Sequence, residues 1–220
     1  MRWSAYAAVG VAVAGLVWVL QGPAPEQPAA DPPWEVRVLT DGTTRALGLT
    51  PGRSTLAEAI GRLGKGLEAG IFESPDRPPV VEAYYSEVVV GGISGRLILS
   101  LAASPATLEG LRARSPSARR LETGSLRRDI ATRDADFLAS QVVRALSFVP
   151  SANLDEATVR ARFGDPVERI PAGEKAVRWL YPERGVIVTI SEGGKEVIDY
   201  VAPADFAWLR ESLGVAPATH

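Results

Sequence analysis

The chain has 220 residues, no cysteine and a single histidine, which is the last residue, His220. The absence of cysteine excludes disulfides, thiolate nucleophiles, thiolate zinc sites and a lipid-modified N-terminal cysteine. A Ser-His-Asp or Cys-His arrangement cannot be built inside the fold, because no other histidine is present. We therefore predict a protein that is not an enzyme and that uses no metal and no cofactor.

An excess of basic charge is also absent. The 24 Lys and Arg residues are balanced by 26 Asp and Glu residues, which gives a net charge of −2. Nucleic-acid binders need a clustered basic footprint, so we expect no nucleic-acid partner. One local stretch is basic, and it could meet anionic lipid headgroups or an acidic partner, or consist simply of solvated side chains. Its members are Arg112, Arg114, Arg119, Arg120, Arg127, Arg128 and Arg133.

The N-terminal segment is an uncharged apolar run over residues 3–20. As a helix, its 18 residues would span roughly 27 Å, close to the ~30 Å hydrocarbon core of a bilayer. Arg2 is the only charge before the run, so the positive-inside rule exports everything after it. We predict that residues 1–20 are a transmembrane signal anchor in the inner membrane, with a periplasmic C-terminal part. A cleavable signal peptide is the alternative.

A proline-rich segment follows the anchor. Residues 21–33 contain five prolines, which favour an extended, semi-rigid linker.

The first half of the chain then reads as an α+β unit over residues 34–118. A hairpin is predicted over residues 34–49, and Thr55 with Glu58 has the spacing of a capping box for a helix that ends at Gly64. The runs 80–90 and 93–101 alternate like strands and are joined by a hairpin turn at Gly91-Gly92, and Pro105 suits the first turn of a helix.

The second half repeats this order, which predicts an internal duplication. The opening motif recurs as Asn153 to Ala157 and the closing motif as Pro203 to Arg210, both 98 residues after their counterparts. We predict a second α+β unit over residues 119–213, with an extra helix at about 134–148 and a disordered tail at 214–220. Within this unit we expect an opening hairpin around 121–125, a second capping box at Asn153 and Glu156, strands at 176–181, 185–191 and 196–201, and a C-terminal helix over 203–213. The alternative is two unrelated helix starts that share common cap residues. The residues that recur at helical spacing in the extra helix are Phe137, Leu138, Gln141, Val142, Ala145 and Leu146.

Two short matches carry a resemblance to a known family. Residues 153–159 with Phe163 to Pro166, and more weakly Pro51-Gly52 with 55–64, resemble the small outer-membrane-assembly lipoprotein domain of the SmpA/OmlA (BamE-like) type. The tandem form is similar to the β-lactamase inhibitory protein fold. The resemblance implies two tandem α+β units, an exported location and binding of other proteins. It implies neither lipid anchoring nor disulfides here, because the chain has no cysteine.

Aromatic residues on two predicted strands are the candidate binding residues. Alternation places Trp179 and Tyr181 on one face of a strand and Leu180 on the other. If Leu180 faces the core, the two aromatic rings face outward, as interface anchors often do; packing beneath a helix is the alternative. The full candidate set is Tyr84, Tyr85, Trp179, Tyr181, Arg178 and Arg184.

These features favour a non-catalytic protein-interaction module of the cell envelope, held in the inner membrane by residues 3–20, with another envelope protein as its partner. A soluble exported protein that binds a small ligand or glycan after signal cleavage is the alternative. An enzyme of unrecognised type is a third class, disfavoured by the missing cysteine and interior histidine.

Overall fold

Ten strands form one antiparallel sheet in the computed structural model, which describes residues 31–75, 77–121 and 124–214. A separate two-stranded hairpin, β1 and β2, precedes the sheet. The order in the sheet is β6-β7-β3-β4-β5-β8-β12-β11-β10-β9. The strands are β1 (Arg37–Val38), β2 (Thr44–Arg45), β3 (Leu67–Ser74), β4 (Arg77–Val90), β5 (Ile93–Leu101), β6 (Ala118–Arg120), β7 (Leu126–Asp129), β8 (Val143–Pro150), β9 (Glu168–Pro171), β10 (Ala176–Tyr181), β11 (Val186–Ser191) and β12 (Val197–Val201).

Five short α-helices accompany the sheet in the described part of the chain. They are α1 (Leu56–Leu63), α2 (Pro105–Arg114), α3 (Ala135–Ala139), α4 (Glu156–Phe163) and α5 (Phe206–Ser212). The Thr55 side chain accepts a hydrogen bond from the Glu58 amide at the start of α1, and Gly64 ends the helix with φ of 92°. The first feature confirms Thr55 as the N-cap of the predicted capping box, and the second confirms the predicted helix stop.

The continuous sheet shows that the predicted fold of two tandem units is wrong. β8 pairs with β5 on one side and with β12 on the other, so the two halves share one hydrogen-bonded sheet. The β6–β7 hairpin, which was expected to open the second unit, pairs with β3 of the first half. The opening hairpin of the first half in turn contacts the second half, because the Thr44 hydroxyl of β2 donates to the Arg184 carbonyl at 2.9 Å.

The extra helix predicted at about 134–148 is also wrong beyond its first turns. Only Ala135–Ala139 is α-helical, and Val143–Pro150 is the strand β8. Ala145 packs in one hydrophobic cluster while Leu146 and Phe148 pack in another, on the opposite face of the sheet. A central strand that is buried on both faces reads as a continuous apolar run, and such a run cannot be told from a buried helix by periodicity.

The second capping box differs from the prediction in its register. The N-cap of α4 is Asp155, whose carboxylate accepts the Thr158 amide at 2.7 Å, and not Asn153. The two capped helices are therefore offset by 100 residues rather than 98. Two strands, β3 and β9, were not predicted at all. The predicted strands at 80–90, 93–101, 176–181, 185–191 and 196–201 are confirmed, as is the C-terminal helix.

The predicted anchor at 1–20, the linker up to residue 30 and the tail from 215 lie outside the described residues. Within the described ranges, no helix has both the length and the apolar character needed to cross a bilayer.

Candidate functional site

The two faces of the sheet are covered very differently. The first face carries the main hydrophobic cluster, in which side chains of the sheet pack against the segment 46–49 and helices α1 to α4. The second face carries a smaller cluster, in which Phe206 and Leu209 of α5 pack on Ala145, Leu180 and Val201. Among the described elements, α5 alone packs on this face. No described helix packs on the second-face side chains of β3, β4 and β5.

Three predicted binding aromatics belong to the covered first face. Trp179, Tyr181 and Tyr85 are all buried, with exposures of 0, 4 and 3 per cent. Of the two orientations open from the sequence, the outward one is therefore wrong and packing beneath a helix is confirmed. Residues of α4 lie over both rings, Arg160 over Trp179 and Phe163 over Tyr181. Leu180 is buried as well, because α5 covers the second face at β10. Alternation separates the two faces of a strand, but it cannot show that both faces are covered.

The buried tyrosines have a structural role at the helix ends. The Tyr85 hydroxyl donates to the Gly64 carbonyl at 2.8 Å, and the Tyr181 hydroxyl donates to the Gly164 carbonyl at 2.9 Å. These carbonyls follow the last turns of α1 and α4, where acceptors lack an intrahelical partner. Burial raises the pKa of both phenols to about 12. Each tyrosine therefore joins a helix end to the sheet as a neutral donor.

Of the two predicted arginines, Arg184 joins parts of the fold and Arg178 lies on the second face. Arg184 donates to the Phe163 carbonyl at 2.9 Å and to the Trp34 carbonyl at 3.4 Å, which fastens the N-terminal segment to the second half. Arg178 lies on the second face, paired in register with Thr189 and Ile170, and its Nε is buried without a hydrogen-bond partner.

Tyr84 is the predicted residue that reaches the uncovered part of the second face. Its hydroxyl donates to Glu68 Oε2 at 2.7 Å, and Arg127 donates to the Tyr84 oxygen at 3.1 Å and to Glu68 Oε2 at 3.0 Å. The hydrogen bond from Tyr84, followed by that from Arg127, holds the pKa of Glu68 below its usual value. Hydrogen bonds thus join three side chains from β3, β4 and β7 in one charged cluster.

Further residues extend this surface along β4 and β5. Glu82 is half-buried, and its carboxylate has no hydrogen bond or ion pair among the described residues; burial raises its pKa. Val89 is 60 per cent exposed although it is β-branched and apolar, and Arg96 is exposed nearby on the same face. We define the open face as Glu68, Glu82, Tyr84, Val89, Arg96 and Ile98.

The open face combines features that suit recognition of a protein surface. It offers an aromatic ring, an exposed aliphatic side chain and charges of both signs on rigid strands. Among the described residues, no group of three or more His, Cys, Asp and Glu is arranged to hold a metal ion. The sequence predicts Tyr84 as a binding residue, and nothing in it indicates Glu68, Val89, Arg96 or Ile98. Strand β3 was not predicted, so nothing indicated that Glu68 stands beside Tyr84.

The basic stretch is divided by ion pairs rather than presented as one surface. Arg112 and Arg128 both contact Glu73, at 2.7 and 3.0 Å, and Arg114 contacts Asp134 at 2.9 Å. Arg119, Arg120 and Arg133 are exposed. Acidic residues that are distant in sequence thus neutralise much of the charge that the linear pattern indicated.

Comparisons with protein-family models, with curated proteins and with solved structures found no match to this chain. The resemblance to BamE-like domains therefore rests on the sequence motifs alone.

Proposed function

We propose that the chain is a non-catalytic protein-interaction module of the cell envelope that binds another envelope protein through the open face of its sheet. In this proposal residues 3–20 anchor it in the inner membrane, and the sheet lies in the periplasm. The observation that carries the proposal is the contrast between the two faces. The first face is covered along its length, whereas over β3, β4 and β5 the second face is covered by no described element.

The composition of the open face supports a protein partner. Tyr84 and its cross-strand partner Ile98 supply apolar area at one place, and the exposed Val89 supplies more farther along β4. Arg96, which is exposed on β5 between these two places, supplies donors. A half-buried carboxylate at Glu82 has already lost part of its hydration, so an interfacial donor would replace water that the fold has partly removed. Cross-strand pairs on a wide sheet hold these groups rigidly, which limits the entropy lost on binding.

The test is recovery of partners from chemically crosslinked envelopes with an affinity tag after His220. The variant Val89→Asp with Arg96→Glu replaces an exposed apolar side chain of the open face with a charged one and reverses the charge of another. We expect it to lose at least about 10-fold of the recovered partner, since buried interface residues often contribute 2 kcal/mol or more. Its thermal midpoint should stay close to that of the wild type.

The matched control carries the same two exchanges at Val167 and Arg133, which are also exposed but lie off the open face. The control should recover the partner like the wild type. Equal recovery by the open-face variant, or loss in the control alone, would overturn the proposal.

A further inference from the structure

A pocket lies on the first-face side of the sheet, opposite the open face. It is formed where β10 begins, β11 ends and α4 begins. It has a volume of about 510 Å³. Its apolar wall consists of Leu154, Val177 and Ile190, which belong to the hydrophobic cluster of the first face or pack against it. This pocket is therefore separate from the open face and from the proposed partner surface.

Carboxylates dominate the polar lining of this pocket. Five acidic side chains line it, against one basic side chain, Lys175. The acidic residues are Asp155, Glu156, Glu174, Glu192 and Glu196. Concave sites lined by one sign of charge concentrate ligands of the opposite sign. The pocket thus favours a cation.

Glu196 is the feature that distinguishes this pocket from an ordinary acidic surface. The residue is 4 per cent exposed, and its Oε2 is buried with no hydrogen-bond partner. A buried carboxylate oxygen without a donor is costly, and such groups in proteins are normally paired. Asp155, in contrast, is already occupied, because it accepts the Thr158 amide as the cap of α4. Glu196 therefore supplies an acceptor that the fold itself does not satisfy.

The pocket fits an organic cation better than a metal ion. The described residues contain no cluster of three or more metal-ligating side chains, so the carboxylates here do not converge on one point. A single deep carboxylate beside aliphatic walls suits a charged nitrogen on an apolar stem. An alkylammonium group has this form, with compact donors at the end of a flexible hydrocarbon chain.

We infer that this pocket binds an alkylammonium group, with its hydrocarbon stem against Leu154, Val177 and Ile190 and its nitrogen beside Glu196. A lysine side chain of a polypeptide and a free linear amine share this chemistry. The α4 N-terminus does not make the pocket an anion site, because Asp155 already caps it and the acidic residues outnumber Lys175.

The test is calorimetric titration of the full-length chain in detergent micelles. The probes are the Nα-acetyl N-methylamide of lysine, the same derivative of norleucine, and 1,5-diaminopentane. We expect the lysine derivative to saturate one site and the uncharged norleucine derivative to bind at least about 10-fold more weakly, because it lacks the charge-assisted hydrogen bond. Tighter binding of the diamine would indicate a free amine, and equal or weaker binding would indicate a lysine side chain.

Variants at the pocket decide the outcome. Glu196→Gln should weaken binding of the lysine derivative about 10-fold or more, since it replaces the buried, unpartnered carboxylate with an amide. Glu174 and Glu192 are exposed, so replacing both with Gln cannot disturb the core. This double variant should weaken binding of the lysine derivative about 3-fold. Lys175→Met removes a like charge and should tighten binding about 2-fold. Glu58→Gln, on α1 outside the pocket, should change nothing.

Several results would overturn the inference. These are no saturable binding of either amine, equal affinity for the norleucine derivative, or unchanged affinity in both the Glu196 and the rim variants. Weaker binding in Lys175→Met would point to an anion site instead and would also overturn it. None of these results bears on the open face, so this pocket and the proposed function can fail separately.

Discussion

Among single residues, Trp179 differs most from its predicted role, because this candidate interface residue lies in the hydrophobic core. Its ring is fully buried, and the Arg169 guanidinium lies 4.2 Å from the ring centroid. We predict that Trp179→Ala lowers the free energy of unfolding by about 3–5 kcal/mol, because removing a buried aromatic ring leaves a cavity. Urea denaturation measures this change.

Trp208 provides the matched control for this prediction. It is half-buried on α5, where the Arg144 guanidinium lies 3.8 Å from its ring centroid. Trp208→Ala should cost less than half as much as Trp179→Ala. If Trp179→Ala left the stability unchanged and abolished partner binding, the burial described above would be refuted and the ring would be an interface anchor after all.

Asp199 makes a second prediction at this scale, because burial raises its pKa to about 6. Its Oδ1 accepts the Ser147 hydroxyl at 2.5 Å, which opposes the rise without cancelling it. The folded protein therefore binds a proton that the unfolded chain releases near pH 4. The contribution of this group to stability is greatest below pH 4 and falls as the pH rises toward about 6.

Asn cannot ionise, so Asp199→Asn should remove this pH dependence. Relative to the wild type, the variant should gain on the order of 2 kcal/mol in unfolding free energy between pH 4 and pH 7. Denaturant unfolding of both proteins at the two pH values measures the difference. Carboxylates of lowered pKa, such as Glu168, titrate in both proteins, so their contributions to the pH dependence of stability cancel in the difference. A stability difference that is the same at both pH values would contradict the assignment.

Among single elements, helix α1 has one glycine inside it and one at its end, and their replacement with alanine should change the stability in opposite directions. Gly64 ends the helix with φ of 92°, whereas Gly61 lies inside it with open space where a Cβ would stand. Gly64→Ala should destabilise the protein by about 1 kcal/mol, because a β-carbon is strained at that backbone angle. Gly61→Ala should stabilise it by about 0.5–1 kcal/mol. Thermal unfolding of the two variants would reveal the sign; a shared sign would contradict the helix end.

Elements that depend on local signals were predicted from the sequence, and those that depend on tertiary contacts were not. The hairpin turn at Gly91-Gly92, the cap at Thr55 and the stop at Gly64 all follow from residues close in sequence. The sequence predicts a helix where β8 lies, because the burial of β8 on both faces depends on α5 and on the first-face helices, which are distant in sequence. The neighbours that make Tyr84 part of a site, Glu68 and Arg127, come from other strands.

At the scale of the whole molecule, β8 determines how the two halves are connected. Its seven registered pairs with β5 and four with β12 join both halves in one sheet. We predict a single cooperative unfolding transition rather than the two that tandem units would give. In native-state hydrogen exchange, the slowest amides of β4 and β11 should share one opening free energy. Exchange of β11 at a distinctly lower free energy would show that the halves unfold independently.

The most direct measurement of the central claim is photo-crosslinking of the full-length chain in living cells, with a photoreactive amino acid at single positions. Arg96 lies exposed on the open face, and Glu58 lies exposed on α1, over the covered face. If the open face binds a partner, position 96 should give a discrete adduct with another envelope protein and position 58 should give none. An adduct from position 58 alone, or none from position 96, would show that the partner does not bind at the open face.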